Sequence, residues 1–181
     1  NNIDMAVREY ETAAERQNRS CKIPFLKVFC INKKLAVVYN NLGLLYSKKA
    51  VVVGLDSTEG RDFLEKSVKS FQKSLEINHN NYEIRYNTAL AYQMKGEPEK
   101  AAAEYCKAIK QAPLKPEIHY NLGLVLMELK KYKDAKQELE KANFILQTAN
   151  NGSTAEYVQQ ALNEAIEKEL IEENNSGNSD S

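Results

Sequence analysis

The sequence predicts an all-α protein built from stacked helix hairpins, and two observations predict it. The first is a 34-residue repeat, in which the stretch Tyr82 to Lys115 returns as Pro116 to Ala149. The second is composition, because the 181 residues include only 7 Gly and 4 Pro and show no β-type alternation. A unit of this length is one helix hairpin that cannot bury its apolar face alone, so neighbouring units must stack into a solenoid. The residues that recur unchanged are Glu83, Ile84, Tyr86, Asn87, Leu90, Ala101, Glu104, Lys107 and Ala108, as Glu117, Ile118, Tyr120, Asn121, Leu124, Ala135, Glu138, Lys141 and Ala142.

Small and aromatic residues recur inside each unit at fixed places. They are Ala89, Tyr92, Gly96, Ala101, Tyr105, Ala108 and Pro113 in one unit, and Leu122, Gly123, Leu126, Tyr132, Ala135, Leu139 and Ala142 in the next. Ala or Gly at a crossing lets two helices approach to about 8 to 10 Å. This pattern resembles the tetratricopeptide repeat (TPR) family, although Arg85 and His119 stand where that family usually has an aromatic residue. The resemblance implies a right-handed α-solenoid of antiparallel hairpins, the TPR superhelix.

The chain is predicted to begin inside a repeat. Ala6, Tyr10 and Ala13 have second-helix spacing, so residues 1–20 are a partial repeat without its first helix. Arg19 to Lys34 is predicted either to start the next helix early or to occupy the groove. The unpaired N-terminal edge favours self-association. The missing Met is compatible with a preceding signal peptide, membrane anchor or catalytic domain.

Residues 36–81 form a repeat with an insertion. First helices are 46 residues apart (Gly43 to Ala89) but second helices only 34 (Phe71 to Tyr105), and 46 − 34 = 12. Lys48 to Gly60 is therefore predicted to be a lengthened loop, with a prolonged first helix as the alternative. Ser57 or Thr58 is predicted to cap the second helix, because a hydroxyl oxygen can accept from its unpaired amides.

Two full repeats, 82–115 and 116–149, are predicted to precede a capping helix over residues 153–171. Its apolar stripe includes Val158, Leu162 and Ala165, and its polar face can meet water. The helix is expected to cover an apolar edge made by Leu139, Ala142 and Phe144. Residues 172–181 have nothing to bury and are predicted to be disordered, so 1–171 is predicted to be a single solenoid.

Composition argues against several classes of function. Twenty-five basic residues balance 25 acidic ones without a basic stripe, which disfavours nucleic acid and anionic membranes as partners. No run of 18 apolar residues predicts a membrane span.

Cysteine and histidine usage predicts neither cofactor, metal nor catalysis, and hence a protein that is not an enzyme. Cys21, Cys30 and Cys106 show no CxxC spacing, so free thiols and a cytoplasmic location are expected. A Cys21 to Cys30 disulfide would require an exported protein. His119 is predicted to be a packed ring and His79 a turn residue, and neither has a second ligand at helical spacing.

The resemblance implies a binding surface on the first helices. Family geometry aligns a column of asparagines and a column of leucines there, flanked by tyrosines. An amide both donates and accepts, so the asparagines could bind the peptide groups of a ligand while the leucines cover its side chains. The alternative is that the asparagines bond to a neighbouring helix and the leucines pack on the next repeat. The residues are Asn41, Asn87 and Asn121, Leu44, Leu90 and Leu124, and Tyr86 and Tyr120.

The predicted function is a non-catalytic protein-interaction module, an adaptor or assembly factor that holds a peptide or helix of a partner protein in this groove. The alternative is a regulatory or substrate-docking segment of a larger enzyme. Relatives that hold chaperone tails use Lys and Asn on these helices. Here the corresponding places carry Asn40, Leu44, Glu83 and Glu117, so a chaperone tail is not expected. Glu83, Glu117 and Glu128 favour a neutral or basic partner.

Overall fold

The computed structural model describes residues 2–20, 33–148 and 152–177, and every regular element within these ranges is an α-helix. The helices form two compact units, the first containing α1 to α4 and the second α5 to α8. Residues 21–32 of the undecided N-terminal segment, including Cys21 and Cys30, lie outside the described ranges. The helices are α1 (Asn2–Ser20), α2 (Lys33–Val53), α3 (Thr58–Ile77), α4 (Tyr82–Met94), α5 (Pro98–Gln111), α6 (Pro116–Glu128), α7 (Tyr132–Thr148) and α8 (Gly152–Gly177).

The first unit is organised around the α2–α3 hairpin. Gly43 lets the two helices approach, because a Cβ there would lie 2.6 Å from the ring of Phe71. The Ser67 hydroxyl donates to the Gly43 carbonyl at 2.8 Å and the Ser74 hydroxyl donates to the Ala36 carbonyl at 2.6 Å. Two serines thus fasten the close crossing across the hairpin. On the flanks, α1 packs on α2 and α4 packs on α3.

The predicted loop over Lys48 to Gly60 is wrong, and the structure has the alternative, a prolonged first helix. α2 continues to Val53, and only Gly54 to Ser57 connects it to α3. Gly54 has φ +92°, and a Cβ at Gly60 would lie 2.0 Å from the Gly54 carbonyl oxygen, so the tight turn needs both glycines. Ser57 caps α3, as predicted, by accepting from the Gly60 amide at 2.9 Å. The inserted residues lengthen the helices because Ala50 and Phe63 prolong the buried apolar contact between them.

The second unit contains the α6–α7 hairpin, and α8 packs on α7. A Cβ at Gly123 would lie 2.6 Å from the Leu139 side chain, which matches the close crossing in the first unit. The buried residues that α8 contributes are Val158, Ala161, Leu162 and Ala165.

Two details of the capping helix differ from expectation. Phe144 was expected in the apolar edge that α8 covers, but it points away from α8 and is 68% exposed. Leu139, Ala142 and Leu146 form that edge of α7. The helix also continues beyond Ile171 to Gly177. Lys136 of α7 donates to Glu169 at 2.9 Å, and this bond holds the end of α8 against α7. The bond and the nearby Glu173 carboxylate also raise the pKa of Lys136.

Candidate functional site

The predicted site residues lie on α2 and α4 in the first unit and on α6 in the second. Leu44 is 44% exposed, and the other seven side chains are half-buried. All eight therefore reach the surface, while the opposite face of each helix enters the core. This distribution follows from helical periodicity, since residues three or four apart share a face.

The asparagines of the first unit bond to neighbouring helices. Asn41 donates through Nδ2 to the Tyr10 hydroxyl of α1 at 3.1 Å, and Asn87 donates through Nδ2 to Oδ1 of Asn40 on α2 at 3.1 Å. Each amide donates one of its two hydrogens in these bonds. The geometry therefore ties α1, α2 and α4 together, and the side-chain oxygens of Asn41 and Asn87 accept no hydrogen bond from the described residues.

In the second unit, α8 contacts two of the corresponding residues, Tyr120 and Leu124. Asn121 donates to the Glu117 carbonyl of its own helix at 2.9 Å. Tyr120 packs edge-on against Tyr157 of α8, with ring centroids 4.8 Å apart, and Leu124 joins the apolar cluster between α6, α7 and α8. The face of α6 is thus partly covered by the helix that caps α7.

Three exposed acidic residues lie on α4 and α6. Glu83 and Glu117 occupy the first turns of α4 and α6, where the helix dipole favours a negative charge, and Glu128 ends α6. Pro116 starts α6 and Asn81 caps α4 by accepting from the Ile84 amide at 3.1 Å. The helix ends therefore explain the position of two of the three carboxylates, and all three remain accessible to a ligand.

His119 forms a buried ion pair that sequence spacing did not reveal. Its Nδ1 lies 2.6 Å from Glu138 Oε2 of α7, and its Nε2 lies 2.9 Å from the Pro113 carbonyl. Both partners accept, so both ring nitrogens must donate and the imidazole is cationic. Burial alone would lower the pKa of His119, but the bonds to Glu138 and Pro113 outweigh it and raise that pKa. The ring is packed, as predicted, and both of its nitrogens are occupied.

An apolar cleft lies beside this ion pair in the second unit. It is an open groove of ≈ 750 Å³, and His119 forms part of its wall. This volume lies within the usual range of ligand clefts. Leu114 and Phe144 project at its rim with exposures of 76% and 68%. The sequence carried no signal for this cleft, because Leu114 lies in the turn between α5 and α6 and Phe144 lies on α7.

The described residues offer little for chemistry. They contain no group of three or more His, Cys, Asp or Glu side chains that could hold a metal ion. Cys106 is an exposed free thiol whose pKa is raised by partial burial and by the nearby Glu138 carboxylate, which weakens it as a nucleophile. Among the described helices, none combines the length and apolarity needed to cross a bilayer.

Comparison with known proteins identifies the repeat. The profile described as "Tetratricopeptide repeat" matches residues 70–103, and the one described as "TPR repeat" matches residues 95–130. No curated protein sequence matches the chain.

Solved structures of the same fold cover most of the chain. The TPR2B domain of yeast Sti1, in its pHsp70 complex, is 19% identical with a TM-score of 0.59, over 72% of this chain and 98% of that one. The Sgt2 TPR domain from Aspergillus fumigatus is 26% identical with a TM-score of 0.55, over 74% and 82%. A thermophilic TPR protein of Thermus thermophilus is 17% identical with a TM-score of 0.59, over 91% and 96%. These similarities confirm the predicted fold class, an all-α solenoid of antiparallel hairpins.

Proposed function

Because this chain belongs to the tetratricopeptide repeat family, we propose that it is a non-catalytic adaptor or assembly factor that binds a peptide or helix of a partner protein along its first helices. The observation that carries the proposal is the surface of α2 and α4, where the amide oxygens of Asn41 and Asn87 accept no bond from the described residues and Leu44 is 44% exposed. Those oxygens can accept peptide N–H groups, and the leucine can cover apolar side chains.

The proposed ligand is neutral to basic where it meets α4 and α6. The exposed carboxylates of Glu83, Glu117 and Glu128 would attract such a ligand and repel an acidic tail. The yeast Sti1 domain was solved in a pHsp70 complex, but the cationic residues with which the family holds chaperone tails are absent from the matching places here. The free thiol of Cys106 fits a cytoplasmic location, and the α1 edge, where Met5 is 61% exposed, is proposed as a surface for self-association.

The test changes Asn41, Asn87 and Asn121 together to Ala. An affinity pull-down with mass spectrometry first identifies the partner, and calorimetry then measures its affinity for both proteins. Each lost amide that served the ligand should cost about 1 to 3 kcal/mol of binding. Melting temperature should change little, because the lost bonds to Tyr10 and Asn40 are offset by the higher helix propensity of Ala.

The control is Asn163→Ala, which removes an exposed amide from α8 and should leave binding unchanged. If the triple variant unfolds early while each folded molecule still binds normally, the asparagines only connect helices, and the proposed site is wrong.

A further inference from the structure

The helix α2 differs from the other first helices in length and in surface. It has 21 residues, whereas α4 and α6 have 13 each. Three apolar side chains stand exposed along it, Val37 at 57%, Leu44 at 44% and Val51 at 57%. They are seven residues apart, and Val51 belongs to the inserted stretch that prolongs the helix. The exposed line is therefore about 21 Å long, at 1.5 Å per residue over 14 residues.

Polar residues alternate with the apolar ones in the same line. Lys34, Asn41 and Lys48 are also seven residues apart, and together with the apolar residues they give steps of three and four. We call this line of Lys34, Val37, Asn41, Leu44, Lys48 and Val51 the α2 seam. The buried residues of α2, among them Tyr39, Leu42 and Tyr46, lie on the opposite side of the helix and face the core. The α2 seam is therefore not an extension of the core.

We propose that the α2 seam binds an α-helix of a partner protein that carries an apolar residue at every seventh position and acidic residues beside them. A seven-residue apolar repeat stays in contact with a second helix when the two wind slightly around each other, with side chains of one filling gaps in the other. Asn41 in the middle of the seam would fix the register of such a helix, as a polar residue does within a coiled-coil seam. This inference rests on the proposed function and specifies the partner where it meets α2.

The charge of α2 selects the partner. The helix contains four lysines and no acidic residue. Lys49 pairs with Asp4 of α1 at 2.6 Å, and the exposed Lys34 and Lys48 lie in the α2 seam itself. A partner helix with Glu or Asp flanking its apolar line would place opposite charges against these lysines, which speeds association and disfavours wrong partners. A second copy of α2 is disfavoured, because it would bring two positively charged helices together.

The test uses labelled synthetic helices of about three heptads as probes. The first carries Leu at every seventh position with flanking Glu, the second replaces each Glu by Lys, and the third has the composition of the first with Leu in scrambled order. Fluorescence anisotropy measures binding to the full chain. Only the first probe should bind well, and Lys48→Glu should weaken it while strengthening the second probe.

Two exposed apolar residues on different helices provide a matched pair of variants. Val51→Glu buries a charge beneath the probe and should weaken binding about tenfold or more. Leu170 is also apolar and 53% exposed, but it lies on α8, so Leu170→Glu should stay within about twofold of the unchanged protein. Circular dichroism confirms that both variants are folded.

Several results would overturn the proposal: equal binding of the scrambled probe, equal loss in Val51→Glu and Leu170→Glu, or no binding of the first probe. Light scattering that shows a dimer of the unchanged chain and a monomer of Val51→Glu would assign the seam to a second copy and also overturn it. The proposed function fails separately, if Asn87→Ala with Asn121→Ala, both outside α2, leaves binding of the captured partner intact.

Discussion

The hairpins α2–α3 and α6–α7 are built on one repeat but are stabilised differently. In both, a glycine on the first helix meets a large apolar residue on the second, Gly43 with Phe71 and Gly123 with Leu139. Around the first contact, Ser67 and Ser74 donate hydrogen bonds across the helices. Around the second, 68 residues further along, Ala135 and Ala142 are fully buried and offer no donor. The repeat therefore conserves the steric match and leaves the polar contacts free to vary.

The aromatic position of the repeat shows the same freedom. Tyr39 occupies it in α2 and is buried in the core, with the Lys73 ammonium 5.3 Å from its ring centroid. His119 occupies it in α6 and pairs with Glu138, whose counterpart in α3 is Ser70. One hairpin fills this place with an aromatic ring and the other with an ion pair. The second arrangement makes stability depend on the titration of a histidine and a carboxylate.

The helices that pack on the two hairpins give the largest expected difference between them. On the α6–α7 hairpin, α8 buries Val158, Ala161, Leu162 and Ala165, whereas on the α2–α3 hairpin the described side chains of α1 include only two buried apolar ones, Val7 and Ala14. Deleting residues 152–181 should therefore cost on the order of 5 kcal/mol, since a buried Val or Leu side chain contributes about 1.5 to 3. That is a large part of a typical domain's stability, so we expect early melting or aggregation, measured by circular dichroism and light scattering.

A shorter truncation is the control for this deletion. Removing residues 172–181 takes away the exposed Glu172 to Asn175 from the end of α8 and leaves its buried residues in place. Its melting temperature should stay close to that of the full chain. If the long deletion also left melting and solubility unchanged, α8 would not be a structural cap.

The ion pair gives the next largest effect. The folded pKa of His119 is raised above its ordinary 6.5, so its contribution to stability is complete below about pH 6.5 and is lost as pH rises through the folded pKa. Burial alone would raise the pKa of Glu138, but the bonds from His119 and Lys141 lower it below its ordinary 4.5. Its contribution is present above about pH 4.5 and is lost as pH falls through the folded pKa. Both contributions are complete between these values.

Glu138→Gln should therefore lower the free energy of unfolding by about 1.5 to 3 kcal/mol near pH 6, the usual worth of a hydrogen bond to a charged group. The loss should shrink as pH rises through the folded pKa of His119, where the ring of the unchanged protein loses its charge. Urea denaturation at a series of pH values measures both the loss of unfolding free energy and its change with pH. The exposed Glu140→Gln is the control, and equal effects of the two changes at every pH would rule out the coupling.

The sequence predicted the features that recur in every repeat and missed the contacts that occur in one repeat alone. The 34-residue period located the hairpins, and small residues such as Gly43 and Gly123 marked the crossings, because one steric requirement recurs in each unit. The pairing of His119 with Glu138 joins different helices 19 residues apart and has no period. The insertion was located correctly, but its valines and Gly54 suggested a loop. Only the packing of Phe63 against α2 decides that the helices continue.

The candidate site was predicted in the same uneven way. Helical periodicity and the family pattern placed Asn41, Asn87 and Leu44 on surface-reaching faces, where they lie. The bonds that Asn41 and Asn87 form to other helices depend on Tyr10 and Asn40, whose positions follow from packing and not from spacing. Their role in binding remains a prediction.

The serines of the α2–α3 hairpin give the smallest expected effect. Changing Ser67 and Ser74 to Ala should cost about 0.5 to 1.5 kcal/mol each, the net worth of a typical hydrogen bond, and the higher helix propensity of Ala should keep the cost near the lower limit. The reverse change, Ala135→Ser, should be close to neutral if its hydroxyl reaches the Gly123 carbonyl as Ser67 reaches that of Gly43. Ser70→Ala is the control, because that hydroxyl donates to Lys66 within its own helix at 2.8 Å. Urea denaturation measures all of these changes. A loss at Ser67 and Ser74 no greater than at Ser70 would show that the bonds between the helices add nothing, and that the glycine and phenylalanine contact alone sets the stability of this crossing.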